Sequence, residues 1–258
     1  MKFMKVEDYS IEEYSKLEKK RLQETYADIE QNKVILAYKL VTLSSQEKKI
    51  AHCDLIINRD VEKFRSGLLR SLAAKFAIYE RYVDGDLDYA RGISHLDGFL
   101  IFDCMLIGKK SLSKKMATYF NLEDRFTKSE ANNPAFRMGL LLKYYILEDA
   151  KNSRSELQQC INYATSKSSW KNYAGYFKLL KLLVEESRDL AVISEALGDA
   201  ADSFKKLKKG SGVFSGLLEG MYDLWTIAFL NLFKENGIDV DLGKYDFPKE
   251  LVSGYLSE

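Results

Sequence analysis

The chain has 258 residues, of which 46% are hydrophobic and 30% are charged, and it contains only two prolines and fifteen glycines. This composition excludes a disordered chain and favours helix, because residues that break helices are scarce. Thirty-nine basic and thirty-eight acidic residues leave a net charge of +1. That balance excludes a strongly basic nucleic-acid-binding protein and equally an acidic mimic of DNA.

Two helices are predicted in the first third of the chain. Ser10 and Glu13 have the spacing of a capping box, which predicts a helix start. An amphipathic helix is predicted over 60–83 with Asp60 as its N-cap, because apolar side chains recur there at steps of three and four. These positions are Val61, Phe64, Leu68, Leu72, Phe76, Tyr79 and Val83.

The stretch YVDGDLDYARGISH, which overlaps the end of this helix, has the beginning of a calcium-loop pattern. Asp84, Asp86 and Asp88 stand at alternate positions, as the first three ligands of an EF-hand do. The sixth loop position, however, is Tyr89 where glycine is required, and the twelfth is His95 where a bidentate glutamate is required. We therefore predict an acidic, solvated connection between helices that does not bind calcium.

The longest polar stretch without an apolar stripe is LEDRFTKSEANN, residues 122–133. We predict a single helical domain over 1–258, and if the chain forms two lobes we place their boundary in this stretch. No repeat of about thirty-four or forty residues with recurring signature positions is present, which favours irregular helix packing over a solenoid.

The sequence after this stretch again predicts where helices start. Asn133 and Pro134 have the pattern of an N-cap followed by a first-turn proline, which predicts a helix running to about Asp149. Ser153 and Glu156 have the spacing of a second capping box. A further helix start is therefore predicted at Ser153.

The last third of the chain predicts a helical hairpin and a central helix. The hairpin consists of helices over 172–186 and 187–208. Residues 214–233 are apolar over most of the helical circumference and predict a helix in the middle of the packing, closed at Asn236 and Gly237. The predicted fold class is all-α: an irregular multi-helix bundle of helical hairpins with little or no β structure.

The cysteines and the distribution of apolar residues indicate the cellular compartment of the protein. Cys53, Cys104 and Cys160 are odd in number and form no C-x-x-C pair, so we predict reduced core thiols. The N-terminus lacks the apolar run of a signal peptide, and no stretch approaches the eighteen apolar residues of a membrane span. We predict a soluble, cytoplasmic protein without a membrane partner.

Motifs for catalysis and metal binding are incomplete. The two histidines, His52 and His95, lie outside any H-E-x-x-H setting, and Cys53 beside His52 points about 100° away from it on a helix. His95 with Asp97 and Asp103 would need further ligands from elsewhere to hold a metal. We predict no catalytic residues, no metal and no cofactor, and we keep open an enzyme whose site residues are too dispersed to recognise.

The basic and glycine-rich stretch KKLKKGSGVFSG suggests nucleotide or nucleic-acid binding only superficially. Its third glycine comes one residue late for a dinucleotide loop, and a basic run stands where that fold needs a strand. Most of the sixteen tyrosines fall on apolar helix faces, away from a stacking surface. The part KKGSGVFSG is predicted to be a flexible basic loop before the central helix, and no nucleic acid is predicted as a partner.

The C-terminal stretch LWTIAFLNLFKENGIDVDLGKYDFPKELVSGYL combines an apolar helix, an Asn-Gly end, an acidic turn and a Tyr-x-x-Pro-x-x-Leu tail. It resembles the ending of bacterial polymorphic-toxin immunity proteins, most closely the immunity protein 49 family, with Tyr245, Pro248 and Leu251 as the matching positions. The size and helical body are also similar to nuclease immunity proteins of the DUF1910/DUF1911 type. Many nuclease inhibitors are strongly acidic, whereas this chain is nearly neutral.

The resemblance implies a protein that binds a cognate toxin encoded next to it, occludes the toxin's active site and is not itself an enzyme. Such an inhibitor needs aromatic or charged anchors, which acidic helix connections can provide. The candidate toxin-binding residues are Asp84, Asp86, Asp88, Tyr89, Glu123 and Asp124. The alternative is a helical adaptor or scaffold that binds a peptide or protein partner; the sequence carries no signal for the oligomeric state.

Overall fold

The computed structural model of the protein describes residues 10–32, 35–210, 212–215, 217–243 and 247–254. The regular secondary structure of these residues is entirely helical and contains no strand, which confirms the predicted all-α class. No helix within the described ranges combines the length and apolar character needed to cross a membrane.

The α-helices of the described residues are numbered in chain order. They are α1 (Ile11–Gln31), α2 (Ala37–Asn58), α3 (Val61–Val83), α4 (Leu100–Ile107), α5 (Lys110–Tyr119), α6 (Pro134–Ile146), α7 (Ala150–Ser166), α8 (Ser168–Lys171), α9 (Ala174–Val184), α10 (Leu190–Leu207) and α11 (Leu224–Glu235). Short 3-10 helices span Leu87–Gly92, Asp97–Phe99, Leu122–Asp124, Leu218–Gly220 and Lys249–Leu251.

The chain divides into two compact units. The first comprises the described residues up to Ser94 together with 217–221, and the second comprises 95–215 and the chain from Tyr222 onwards. Residues 122–133, where we placed a boundary between lobes, therefore lie inside the second unit. Within that stretch the ring of Phe126 packs edge-on against Phe136 of α6, with 6.5 Å between centroids, which joins the stretch to the helix that follows it.

The first unit is built around the hairpin of α2 and α3. A Cβ at Gly67 of α3 would lie 2.7 Å from the Cβ of Ala51 of α2, so the two helices approach closely there. The turn between them ends α2 at Arg59 in the left-handed region (φ 50°). Asp60 then caps α3, because its Oδ1 accepts the N–H of Lys63 at 2.9 Å. The start predicted at Asp60 is confirmed.

The predicted apolar stripe of α3 forms the core of this unit. Its members from Val61 to Tyr79 are all buried, as the steps of three and four predict. Val83, the last member, is 59% exposed and departs from the prediction. The difference arises because α3 ends at that residue and the chain continues in an exposed turn.

In the second unit, α9 and α10 form the predicted hairpin, and their backbones approach at Gly175. A Cβ at Gly175 would lie 2.2 Å from the carbonyl oxygen of Asp199 and 2.4 Å from the backbone nitrogen of Ala200. The N–H of Gly175 donates to Oγ of Ser203 at 3.0 Å. Only glycine fits this contact, whereas a Cβ at Gly198 of α10 would meet nothing within 4 Å.

The helix start predicted at Ser153 is wrong by four residues. The N-cap of α7 is Asp149, whose Oδ1 accepts the N–H of Asn152 at 3.1 Å. Ser153 and Glu156 lie inside the helix and are buried. Glu156 is engaged by Arg137 of α6, with 2.6 Å between Nε and Oε1, so the side chain that suggested a cap forms a buried ion pair instead.

The apolar segment 214–233 does not form one continuous helix. Helix α11 begins at Leu224, because Asp223 acts as its N-cap and accepts the N–H of Thr226 at 3.1 Å. Its predicted end is confirmed, with Gly237 in the left-handed region at φ 72°. Trp225 is buried, with its ring 5.2 Å from that of Phe102, so the central position predicted for this helix is also confirmed.

The tail that carries the family resemblance packs against α11. The amide of Asn231 donates to the carbonyl oxygens of Leu251 at 3.0 Å and of Met105 at 3.1 Å, and its oxygen accepts the N–H of Gly254. Leu251 is fully buried. Tyr245 lies outside the described residues. The described tail residues therefore serve to hold the chain end in the second unit.

Candidate functional site

The strongest candidate site is the exposed turn at the end of α3, residues 83–88, which we call the acidic tip. The chain reverses at Gly85, which has φ 96°. The N–H of Gly85 donates to the carbonyl of Tyr82 at 3.1 Å, and that of Asp86 donates to the carbonyl of Arg81 at 3.0 Å. These two bonds close α3 in a Schellman arrangement and satisfy backbone groups that the helix end leaves open.

The acidic tip exposes both charged and apolar side chains. Asp84, Asp86 and Asp88 are all exposed, as predicted. Leu87, between the last two, is 73% exposed, and Val83 at the other end of the tip is also largely in solvent. Large apolar side chains at such exposure, next to carboxylates, have the composition of a binding anchor with a polar rim.

Tyr89, which we predicted to join the aspartates on the binding surface, is instead part of the core. It is only 6% exposed, and its hydroxyl donates to the backbone carbonyl of Ile35. Its ring packs among buried side chains of α2 and α3. These are Ala37, Leu40, Ala74 and Ile78. Tyr89 therefore anchors the chain immediately after the acidic tip and is not accessible to a partner.

The start of α2 brings two more exposed apolar side chains to this end of the hairpin. Leu36 and Tyr38 are both exposed, and they flank Ala37, which packs in the same cluster as Tyr89. The hydrogen bond from Tyr89 to Ile35 places the two chain segments side by side. An apolar and acidic surface thus extends from the acidic tip to the first residues of α2.

The remaining candidates, Glu123 and Asp124, lie in the second unit on an exposed turn. Their φ angles are 55° and 53°, in the left-handed region, and that of Asn121 is 53°. The buried side chain of Asn121 holds the turn, because its oxygen accepts the N–H of Phe126 at 2.9 Å and its amide donates to Oγ1 of Thr127 at 3.0 Å. Such conformations cost non-glycine residues roughly 1–2 kcal/mol each, and they concentrate at functional sites.

The predicted residues around His95 do not come together as a metal site. Nε2 of His95 lies 3.9 Å from a carboxylate oxygen of Glu130, and its ring packs edge-on against Phe126. Asp97 and Asp103 are buried. Across the described residues, no group of three or more His, Cys, Asp or Glu side chains is arranged to hold a metal ion.

The three cysteines are free and buried, which confirms the prediction of core thiols. Burial raises the pKa of the Cys53 thiol to about 11 and raises the pKa values of Cys104 and Cys160 well above the ordinary range. A thiol acts as a nucleophile only as the thiolate. These side chains therefore serve packing at neutral pH.

Two buried carboxyl groups of the second unit also have perturbed pKa values. Burial raises the pKa of Glu156 to about 7, against the charge of Arg137, which lowers it. Burial raises the pKa of Asp223 to about 6, against hydrogen bonds from Thr226 and Tyr176 that lower it. Both carboxyl groups bind partners inside the protein: Glu156 pairs with Arg137, and Asp223 caps α11. Their perturbed pKa values therefore follow from structural roles and do not indicate a catalytic site.

Sequence reasoning found the aspartates of the acidic tip but missed its apolar side chains. One sequence signal could have revealed an exposed apolar side chain. Leu87 stands between two aspartates in a predicted turn, where no helix face is available to bury it. For Leu36 and Tyr38 no local signal was available, because their exposure depends on how α2 packs. Comparisons of the chain with family models, with curated protein sequences and with solved structures returned no match.

Proposed function

We propose that this protein is an immunity protein that neutralises a cognate antibacterial toxin by stoichiometric binding and occlusion of the toxin's active site. The observation that carries the proposal is the acidic tip, which presents Leu87 and Val83 beside three exposed aspartates. The resemblance of residues 224–256 to the ending of immunity proteins supports the same class. In this proposal the protein acts in the cytoplasm, is not an enzyme, and requires neither a cofactor nor nucleic acid.

The apolar side chains of the acidic tip supply binding energy. Fully burying a leucine or valine side chain contributes roughly 1.5–3 kcal/mol. The backbone of the tip is closed by the two hydrogen bonds at the end of α3, and the chain after it is anchored by Tyr89. A loop that is already ordered loses little conformational entropy when it binds, so more of that energy appears as affinity.

The aspartates contribute to partner selectivity and to the rate of association. Asp84, Asp86 and Asp88 place three negative charges within five residues of a chain whose net charge is only +1. A local field of this kind complements a basic active-site cleft and raises the association rate, even when the whole molecule is nearly neutral. The preferred partner is therefore a toxin with a basic cleft that has an apolar recess for Leu87.

Co-expression and calorimetry with the product of the adjacent upstream gene test the proposal. We expect rescue of bacteria from that product and a one-to-one complex. The triple variant Asp84→Ala, Asp86→Ala, Asp88→Ala is expected to associate more slowly and to lose most of the salt dependence of binding. Leu87→Ala is expected mainly to accelerate dissociation, because it removes a buried anchor rather than a charge.

A triple glutamate variant of the first unit provides a control matched in charge. Glu12 and Glu24 of α1 and Glu62 in the first turn of α3 are exposed, and their replacement by alanine removes the same charge outside the acidic tip and the start of α2. Equal weakening by both triple variants would show that net charge alone matters and would remove the tip from the interface. Failure of the protein to bind or neutralise any neighbouring gene product would reject the immunity function and favour a helical adaptor.

A further inference from the structure

The second unit contains a cavity of about 580 Å³ where helices α6, α9 and α11 end. This volume is within the range of roughly 300–1,000 Å³ that is usual for small-molecule sites. Its buried apolar side chains are all aliphatic, and the half-buried Tyr145 is the one aromatic residue of the described lining. The buried aliphatic side chains are Ile146, Leu182, Leu183, Leu232 and Ile238. The lining suits an alkyl chain better than a planar ring.

The three helix ends around the cavity are closed in the same way. Beyond each helix, three backbone N–H groups donate to carbonyl oxygens near the helix end. The residue that reverses the chain is Gly237 after α11, but Glu148 after α6 and Glu186 after α9, with φ angles of 60° and 54°. Because these carbonyls already have partners and no strand edge is available in the described lining, the walls offer little to an extended peptide backbone.

Two of the basic side chains along the rim are already paired. Nζ of Lys114 lies 3.2 Å from a carboxylate oxygen of Glu148, and Nζ of Lys110 lies 4.0 Å from one of Glu235. Both pairs are exposed, so each contributes little to stability. They nevertheless neutralise the charges that they join.

Two arginines along the same cavity have no partner among the residues that the structure describes. Arg154, near the start of α7, and Arg188, between α9 and α10, both line the cavity and are exposed, with no hydrogen bond or ion pair to any described residue. Glu186 is the one further charged residue of the described lining. Four basic and three acidic side chains thus leave one net positive charge around an aliphatic interior.

We propose that this cavity binds an aliphatic monocarboxylate, with its alkyl chain on the aliphatic lining and its carboxylate at Arg154 and Arg188. The planar guanidinium group pairs with a carboxylate through two parallel hydrogen bonds. The single net positive charge matches a single anion. The carboxylate of Glu186, which also lines the cavity, disfavours the second negative charge of a phosphate monoester. The proposal is independent of toxin binding, which we assign to the first unit.

Isothermal calorimetry of the full chain with decanoate tests this site. We expect one decanoate per chain, and roughly fifteenfold weaker binding of octanoate, because it has two methylenes fewer and each buried methylene contributes about a fourfold factor. The double variant Arg154→Gln, Arg188→Gln should bind decanoate at least about tenfold more weakly. Arg81→Gln with Arg91→Gln, two exposed arginines of the first unit, is the matched control and should bind as the unmodified protein does.

A second variant blocks the cavity without changing its charge. Ala150, the exposed first residue of α7, lines the cavity, and Ala150→Trp should abolish decanoate binding while circular dichroism and the unfolding temperature stay unchanged. Equal decanoate binding by all variants would identify nonspecific adsorption and overturn the proposal. Tighter binding of decylamine than of decanoate would overturn it as well, because the acidic rim would then dominate.

Discussion

The acidic tip of the first unit and the turn at 121–127 of the second unit carry similar charges but are held by different anchors. Beside the tip, the aromatic side chain of Tyr89 is buried among aliphatic side chains. Within the turn, the buried amide of Asn121 binds a backbone N–H and a hydroxyl. The tip places glycine at its left-handed position, whereas the turn places Glu123 and Asp124 there.

The difference shows that the anchor decides what an acidic segment can present. An aromatic anchor beside the tip leaves the turn's backbone relaxed and allows Leu87 to point into solvent. A polar anchor inside the turn fixes the backbone through hydrogen bonds and leaves strained residues at the surface. Similar composition therefore gives an exposed apolar and acidic surface in one unit and a locally strained, charged turn in the other.

Removing the aromatic anchor should have the largest effect. Tyr89→Ala is expected to lower the free energy of unfolding by roughly 3–5 kcal/mol, the usual loss for a large buried aromatic side chain. Tyr89→Phe keeps the ring and loses only the hydrogen bond to Ile35, so about 1 kcal/mol is expected. Urea denaturation of both variants measures the difference, and equal losses would show that the hydroxyl rather than the ring is the anchor.

Removing the polar anchor, Asn121, should lower the free energy of unfolding by less than removing Tyr89 does. Asn121→Ala leaves the N–H of Phe126 without its partner and puts alanine in the left-handed region, so a loss of roughly 2–3 kcal/mol is expected. Asp86→Ala in the acidic tip is the comparison, since its exposed side chain accepts one long hydrogen bond from Asp88 at 3.3 Å. A loss for Asp86→Ala as large as that for Asn121→Ala in urea denaturation would contradict the contrast between the two anchors.

Gly85 of the acidic tip should affect stability only through its backbone conformation. A Cβ at Gly85 would meet nothing within 4 Å, but its φ of 96° is unfavourable for any L side chain. Gly85→Ala is therefore expected to cost about 1–2 kcal/mol by thermal denaturation. An unchanged unfolding temperature would show that the turn adopts another conformation at little cost.

The opposite substitution in the second unit should be slightly stabilising. Glu123→Gly relieves the left-handed strain but increases the conformational entropy of the unfolded chain, so a net gain of about 0.5 kcal/mol is expected. Glu24→Gly in the middle of α1 is a control that should be destabilising, because it places glycine in a helix interior. Destabilisation by Glu123→Gly would mean that its side chain makes a compensating contact.

The smallest effect on stability is expected for the charges of the acidic tip. Replacing Asp84, Asp86 and Asp88 together by alanine should change the free energy of unfolding by less than about 0.5 kcal/mol in total, because these side chains are exposed and removing three neighbouring like charges offsets the loss of their weak contacts. A larger loss in urea denaturation would show that the aspartates serve the fold, and weakened toxin binding by this variant would then lose its meaning.

Much of the fold could be predicted from the sequence, because helix starts and apolar stripes are local signals. Asp60 caps α3 and Asn133 caps α6, as their positions before an apolar stripe and before proline predict. Ser153 failed as a cap although it has the correct spacing, since Asp149 reaches the first turn and Glu156 is drawn to Arg137 on another helix. Spacing cannot show a partner that comes from another helix.

The candidate site was less predictable for the same reason. The aspartates of the acidic tip were found from their alternation, but the burial of Tyr89 depends on Ile35, more than fifty residues away in the chain. The left-handed angles of Glu123 and Asp124 have no sequence signature, because glycine is the usual residue at such positions. Nor do Arg154 and Arg188 stand out in the sequence, since they line one cavity only after the helices that carry and flank them have packed together.

The contact at Gly175 has a consequence for how this sequence can change over time. Every other residue at this position would bring a side-chain carbon against the backbone of α10. No amino-acid substitution at residue 175 is therefore tolerated while the two helices keep their present packing. Gly198, on the same pair of helices, faces open space and is free to drift to alanine or a polar residue. Saturation mutagenesis followed by selection for folded protein should retain only glycine at 175 and accept most residues at 198.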